Sequence, residues 1–153
     1  MIGSFPERYL TELQGQPQAL RRAATGLVDQ LAVLRRLAER AGSGPIVCTG
    51  MGGSYALCHA PVTELAGRGL QVSMADAAEL VDFRRPTLLS NTLLVALSQS
   101  GESAEVVRLV RTLRSQPTAP QVVSVTNGLD NRWPRTPTWH STRTLAMNSA
   151  PRP

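Results

Sequence analysis

A chain of 153 residues is one domain in size and long enough to bury a substantial core. Its 42% hydrophobic and 18% charged residues exclude overall disorder; no apolar run approaches the ~20 residues of a membrane helix, and MIGSFPERYL lacks the basic head and apolar stretch of a secretory signal. The net charge of +5 is carried entirely by Arg, and Arg132, Arg135, Arg143 and Arg152 all follow the last acid, so residues 1–131 balance twelve basic against eleven acidic side chains. A nucleic-acid binder concentrates charge on a folded face among aromatic side chains, so neither nucleic acid nor a membrane is an expected partner. Cys48 and Cys58 lie ten residues apart in apolar segments, which is neither a disulfide framework nor a zinc spacing and suits a reducing cytoplasm. No metal and no cofactor is implied.

Ser4-Phe-Pro-Glu7 reads as a helix start with capping-box spacing. The helix is expected to stop near Gln14, before Gly15 and Pro17. A second, longer helix follows, with Leu20, Ala24, Leu27, Leu31, Leu34, Ala38 and Ala41 forming one apolar stripe up to the stop at Gly42-Ser-Gly-Pro45. Beyond Pro45 the pattern becomes short apolar runs alternating with helical stretches. Strands are expected at residues 46–49, 70–74, 92–97 and 121–125. Helices are expected over 55–66 (kinked at Pro61), 76–83 and 102–115. Thr92–Leu97 is apolar throughout, as a parallel strand covered on both faces must be. The alternation predicts an α/β fold with a doubly wound, flavodoxin-like parallel sheet in three αβα layers, in 2-1-3-4-5 order, behind an N-terminal helical arm.

Residues 132–153 have a different composition: both Trp residues, four Pro, no acid and no apolar period. The expected organisation is a helical arm over 1–42, an incomplete α/β domain over 43–131 and an aberrant, disordered tail over 132–153, with the sheet truncated after strand four. One way to produce such a tail is the loss of a base just after the Asn131 codon. Restoring it forces Ala codons at Trp133-Pro134 and Trp139-His140 and a Glu codon at Met147-Asn148. It can yield N-P-L-A-P-H-A-D-V-A-L-D-T-H-A-G-D-E, a turn, an apolar strand and a Gly turn.

Two loops carry chemistry. Gly50-Met-Gly-Gly-Ser-Tyr55 follows the first strand, where Gly52 and Gly53 let backbone amides approach an anion. Ser98-Gln-Ser-Gly-Glu-Ser103 follows the third strand and offers hydroxyls, a carboxamide and further amides. In a 2-1-3 order both loops sit at the switch point, where open parallel sheets bind ligands. Neutral hydroxyls and amide dipoles suit a phosphate monoester held without a metal. A dinucleotide site, with Asp76 on a ribose, is the rival. It fits less well, because Tyr55 stands at the third Gly of the G-x-G-x-x-G fingerprint and the Ser-rich loop is left without a role.

Asn91–Glu105, NTLLVALSQSGESAE, resembles the signature of the sugar isomerase (SIS) domain family, as in amino-sugar-phosphate isomerases and the isomerase half of glutamine–fructose-6-phosphate aminotransferase. Gly50–Tyr55, Ala77-Ala-Glu-Leu80 and Tyr9-Leu-x5-Gln16-Pro17 are similar to further family segments, and the likeness spans roughly residues 6–131. The resemblance implies a sugar phosphate held by Gly52, Gly53, Ser54, Ser98, Gln99, Ser100 and Ser103, in a homodimer. Gly53 stands where the family often has Thr or Ser, so one hydroxyl is missing. The family's chemistry moves a proton between C1 and C2 of the sugar, with a Glu in an Ala-Gly-x-Glu context as base. That segment is absent from this chain and present in the restored frame, so no catalytic residue is assigned. Glu79 is a candidate for contact with the ligand or the dimer partner, and Glu102 reads first as a carboxylate at a helix start, with ligand contact as the lesser reading; Arg84 and Arg85 read as an exposed loop pair sooner than as a phosphate clamp, and His59 as a packed or capping helical residue. The function expected is sugar-phosphate binding in an isomerase- or aminotransferase-type protein, catalytically incomplete as written. A non-enzymatic sugar-phosphate sensor is the alternative.

Overall fold

The computed structural model describes residues 7–28, 30–116, 118–127 and 142–146. Two helices lead, α1 (Glu7–Val28) and α2 (Leu31–Ala41). The parallel strands are β1 (Ile46–Gly50), β2 (Val72–Asp76), β3 (Leu93–Leu97), β4 (Gln121–Thr126) and β5 (Thr142–Ala146), in the order β2-β1-β3-β4-β5. Between them lie α3 (Gly53–Leu57), α4 (His59–Gly67), α5 (Ala77–Glu79) and α6 (Ala104–Arg114). The parallel doubly wound fold expected from the sequence is therefore present. The sheet does not end at β4, however. Val122 to Thr126 pair in parallel with Thr142 to Ala146, so the expectation of an unpaired β4 edge is corrected. A five-residue strand is short enough to escape notice in a segment punctuated by proline. The rest of the 132–153 stretch lies outside the described residues.

Register explains the two cores. Val47, Leu94 and Val122 are aligned across β1, β3 and β4 and therefore share one face. They pack with Val106, Leu109, Val110 and Leu113 of α6, all fully buried. Burying each such side chain contributes about 1.5–3 kcal/mol, which makes this the main stabilising layer. On the opposite face Val123 and Leu37 form a second cluster with Leu27, Val33, Leu34, Leu93 and Val125. Cys48, one residue on from Val47, also belongs to that face. Burial raises its thiol pKa, and burial, helped by the nearby Cys48, pushes Cys58 up to about 11. Both thiols are thus protonated packing groups, and their proximity puts the α3–α4 pair on the Cys48 face.

Helix boundaries depart from the sequence expectation in two instructive places. α1 continues through Gly15 and Pro17, and the break falls between Val28 and Leu31. There Gly26 is a weak helix former, the Gln30 amide N–H bonds back only to Leu27 O, and the Gln30 side chain donates to Gly26 O at 3.1 Å. The inward stripe nevertheless keeps one phase across the break, through Ala23, Leu27, Gln30, Leu34, Leu37 and Ala41, and is turned slightly from the expected one. Ala23, Leu37 and Ala41 are buried, whereas Leu20, Ala24, Leu31 and Ala38 of the expected stripe are exposed. The second case is Pro61. A proline excludes the carbonyl four residues earlier from its own helix, and that residue is Leu57, the last of α3. The helix therefore divides at Cys58 instead of kinking at Pro61. The stretch after β2 is only briefly α-helical. It widens to a π turn over Leu80–Arg84 and tightens to a 3-10 turn over Arg85–Thr87.

Candidate functional site

β1 and β3 end beside each other, and the chain leaves both by a turn built on glycine. At the end of β1, Gly50 has no room for a side chain. A Cβ there would lie 2.9 Å from the Ser54 carbonyl carbon and the Tyr55 nitrogen and 3.0 Å from the Leu97 oxygen. The backbone of α3 thus rests directly on β1 at Gly50, which the end of β3 abuts from its other side. Gly52 then takes φ +52°, the left-handed region, to start α3. At the end of β3, Gly101 donates its N–H to Ser98 O (3.1 Å) and has φ +67°, closing a tight turn over Ser98-Gln99-Ser100.

The hydroxyls of the second loop have distinct settings. Ser103 occupies the N-cap position of α6 but makes no side-chain cap bond; its Oγ lies 3.1 Å from Ser98 Oγ. Simple capping therefore does not account for it. Ser98 is 2% exposed, so its hydroxyl is largely desolvated. Ser100 Oγ accepts from the Glu102 amide at 3.1 Å, which fixes the start of the helix turn.

A cleft of about 670 Å³ opens at the carboxyl ends of β1, β3 and β4. From the first loop it is lined by Met51, Gly53, Ser54 and Leu57, and from the second by Leu97, Ser98, Gln99, Ser100 and Ser103. The two loops face one space, as the strand order required. Gly52 sits beside that space at the α3 N-cap, outside the lining. Sequence reasoning missed a third wall: Val125, Thr126 and Asn127 at the end of β4. Their position follows from β4 neighbouring β3, which short apolar runs reveal only once strands are ordered.

Other singled-out residues lie elsewhere. Glu79 pairs with Arg84 at 3.3 Å, both half exposed. Glu102 faces outward with Arg108 and Arg111 along α6. Arg85 borders a different depression with Ser90, Asn91 and Gln116, at the amino-terminal ends of β3 and β4, so no Arg84–Arg85 clamp reaches the cleft. Asp76 accepts from the Ala78 amide at 2.8 Å as the cap of α5, which engages the carboxylate a dinucleotide ribose would require. His59 is exposed, its ring 6.5 Å from that of Tyr55. Among the described residues, then, the cleft is lined by no titratable side chain, and no group of metal-binding side chains is present. Nor is any helix among them long and apolar enough to cross a membrane.

The lining also contains an unused position. A Cβ on Gly53 would meet nothing within 4 Å, and Gly53 has no positive φ. Gly53→Ser is therefore expected to fit without strain and to add a hydroxyl to the cleft. Calorimetric titration should show phosphate-ester affinity rising about three- to tenfold, the gain of one hydrogen bond to an anion less the cost of ordering the new side chain; unchanged affinity would mean the anion does not approach the start of α3.

Comparison with known proteins agrees with this fold. The chain is 32% identical to a glutamine–fructose-6-phosphate aminotransferase (isomerizing) of Symbiobacterium thermophilum over 90% of its own length and 23% of the relative's. It is 30% identical to the enzyme of the same name from Aeropyrum pernix, over 80% and 20%. The chain thus spans about a quarter or less of the length of these curated relatives. Its fold matches tagatose-6-phosphate ketose/aldose isomerase of Escherichia coli with TM-score 0.77 and 22% identity, over 90% of this chain and 39% of that one. It also matches the C-terminal domain of glucosamine-fructose-6-phosphate aminotransferase of Francisella tularensis with TM-score 0.74 and 20% identity, over 97% and 41%. A protein of Escherichia coli CFT073 in complex with a sugar phosphate shares the fold with TM-score 0.67 and 15% identity, over 94% and 75%. A model of the SIS domain matches residues 41–152, which takes in β5 as well as both loops, and the chain accordingly belongs to the SIS domain family.

Proposed function

We propose that the cleft binds a phosphorylated sugar, with the phosphate between Gly53–Ser54 and Ser98–Ser103, and that the domain is the recognition unit of an amino-sugar-phosphate isomerase- or aminotransferase-type protein. The observation that carries this reading is the Ser98–Ser103 hydroxyl pair, 3.1 Å apart and lining one cleft with Ser54 and Ser100. Hydroxyls and amides stabilise a dianion through short charge-assisted hydrogen bonds and need no fixed cation. The apolar lining from Met51, Leu57, Leu97 and Val125 suits the carbon skeleton beyond the phosphate. The sugar-phosphate complex of a protein with this fold and the names of the relatives support the same ligand class. No cofactor is needed for binding. A homodimer in a reducing cytoplasm is the setting we infer.

Proton transfer between two sugar carbons demands a base within hydrogen-bond reach. None of the described cleft residues titrates, so in this proposal the base comes from outside them. The composition break after Asn131 bears on this point. We propose a lost base in the coding sequence there, because the restored frame supplies the Ala-Gly-x-Glu segment. The restored frame also gives an apolar stretch, but at positions 137–141, whereas β5 (Thr142–Ala146) belongs to the present translation. Reading the coding DNA tests this; if no single-base change opens a longer frame, the proposal fails. The neutral lining equally favours a second reading, a sugar-phosphate sensor without catalysis.

Titration calorimetry with fructose 6-phosphate, glucosamine 6-phosphate, inorganic phosphate, fructose and NAD tests the assignment. Saturable binding of the sugar phosphates, weaker binding of phosphate and none of fructose is the expected result. Tight NAD binding without response to either sugar phosphate would overturn it. An isomerase assay of the frame-restored protein beside this chain separates enzyme from sensor.

A further inference from the structure

The third wall of the cleft does more than close it. The Gln99 carbonyl oxygen accepts two hydrogen bonds from the end of β4, one from the Asn127 amide at 3.1 Å and one from Thr126 Oγ1 at 3.3 Å. Just before them the Ser98 amide donates to Val125 O at 3.0 Å, the last rung between β3 and β4. Gln99 is thus the point at which the Ser-rich loop is tied to the neighbouring strand after regular pairing ends.

The tie has a directional consequence. The peptides are trans, so in the Gln99–Ser100 unit the N–H points opposite to the C=O. The carbonyl is held toward β4. The Ser100 N–H therefore points away from β4, toward the side of β3 on which β1 lies. That is the side of the cleft lined by Gly53 and Ser54. Thr126 is almost fully buried, at 2% exposure, so its hydroxyl acts in a desolvated setting, where hydrogen bonds are strong.

We propose that Thr126 is a positioning residue of the phosphate site: by holding the Gln99 carbonyl it aims the Ser100 amide at the anion between the two loops. This rests on the phosphate-site reading above and adds to it a residue that acts through the loop and not on the sugar. Without the Thr126 hydroxyl, the Asn127 amide is the remaining donor to the Gln99 carbonyl among the described residues. Peptide rotation costs little in a turn, and an amide that swings away leaves the anion one donor short.

The test uses Thr126→Val, which keeps the shape and removes the donor, and Thr126→Ser, which restores the donor. Both are titrated with inorganic phosphate and with fructose 6-phosphate. The expected result is about fivefold weaker binding of both ligands by the Val variant, by the same factor, and near-wild-type binding by the Ser variant, as for loss of one hydrogen bond. Wild-type affinity in a folded Val variant overturns the proposal. So does a loss for fructose 6-phosphate alone, which would make Thr126 a sugar contact. Should the Val variant not fold, the wild-type protein still decides by NMR: phosphate must shift the Ser100 amide proton downfield, and an unmoved Ser100 resonance at saturation refutes the alignment. Failure of the wild type to bind either ligand would instead remove the phosphate-site reading itself.

Discussion

Gly50→Ala is expected to destabilise the protein by about 2–4 kcal/mol and to abolish measurable phosphate-ester binding, although it adds a single methyl group. The methyl carbon would meet three backbone atoms, two of α3 and one of β3, at 2.9–3.0 Å. Backbone cannot rotate aside as the end of a flexible side chain does. α3 must therefore lift from the sheet, carrying Gly53 and Ser54 away from the Ser-rich loop, and the space between the loops widens. Urea denaturation reads the first effect as a lower midpoint, and calorimetry of the folded protein reads the second. A variant with the wild-type midpoint would show that α3 and the end of β3 do not close on Gly50 as described.

Ser98→Ala is expected to weaken sugar-phosphate binding by about 10- to 100-fold, the range for one hydrogen bond to a charged group. The effect on stability should be small. Ser98 Oγ bonds to Ser103 Oγ, which is only partly buried, so the remaining hydroxyl can turn to water. Stability and affinity are thus expected to separate here, in contrast to Gly50→Ala, where they fall together. If calorimetry returned an undiminished affinity for Ser98→Ala, the anion would have to lie elsewhere in the cleft.

Much of this fold is legible in the amino acids. The apolar runs at Ile46, Leu93 and Gln121 become central strands because each is too short for a helix and is bounded by Gly, Pro or Asn. The two loops are legible because parallel order brings the ends of β1 and β3 together. Proline was the harder mark to read. Its effect falls four residues upstream, so Pro61 divides the helix at Leu57–Cys58, while at Pro17 the exposed helix runs on. β5 was hidden because five residues of threonine, arginine, leucine and alanine carry little apolar signal. Thr126 and Asn127 were hidden for a different reason. A strand's last residues join a cleft only through a neighbour 27 or more positions away, and no local pattern encodes that pairing.

A ligand-facing surface without fixed charge also has a kinetic meaning. Cationic pockets draw phosphates in from a distance, and that long-range pull fades with ionic strength. Ser54, Ser98, Ser100 and Ser103 exert no such pull, and their directional contacts act only at touching range. In the proposed site, whose described lining carries no charge, capture of a phosphate ester gains nothing from long-range attraction, so discrimination among anions is expressed in how long each one stays.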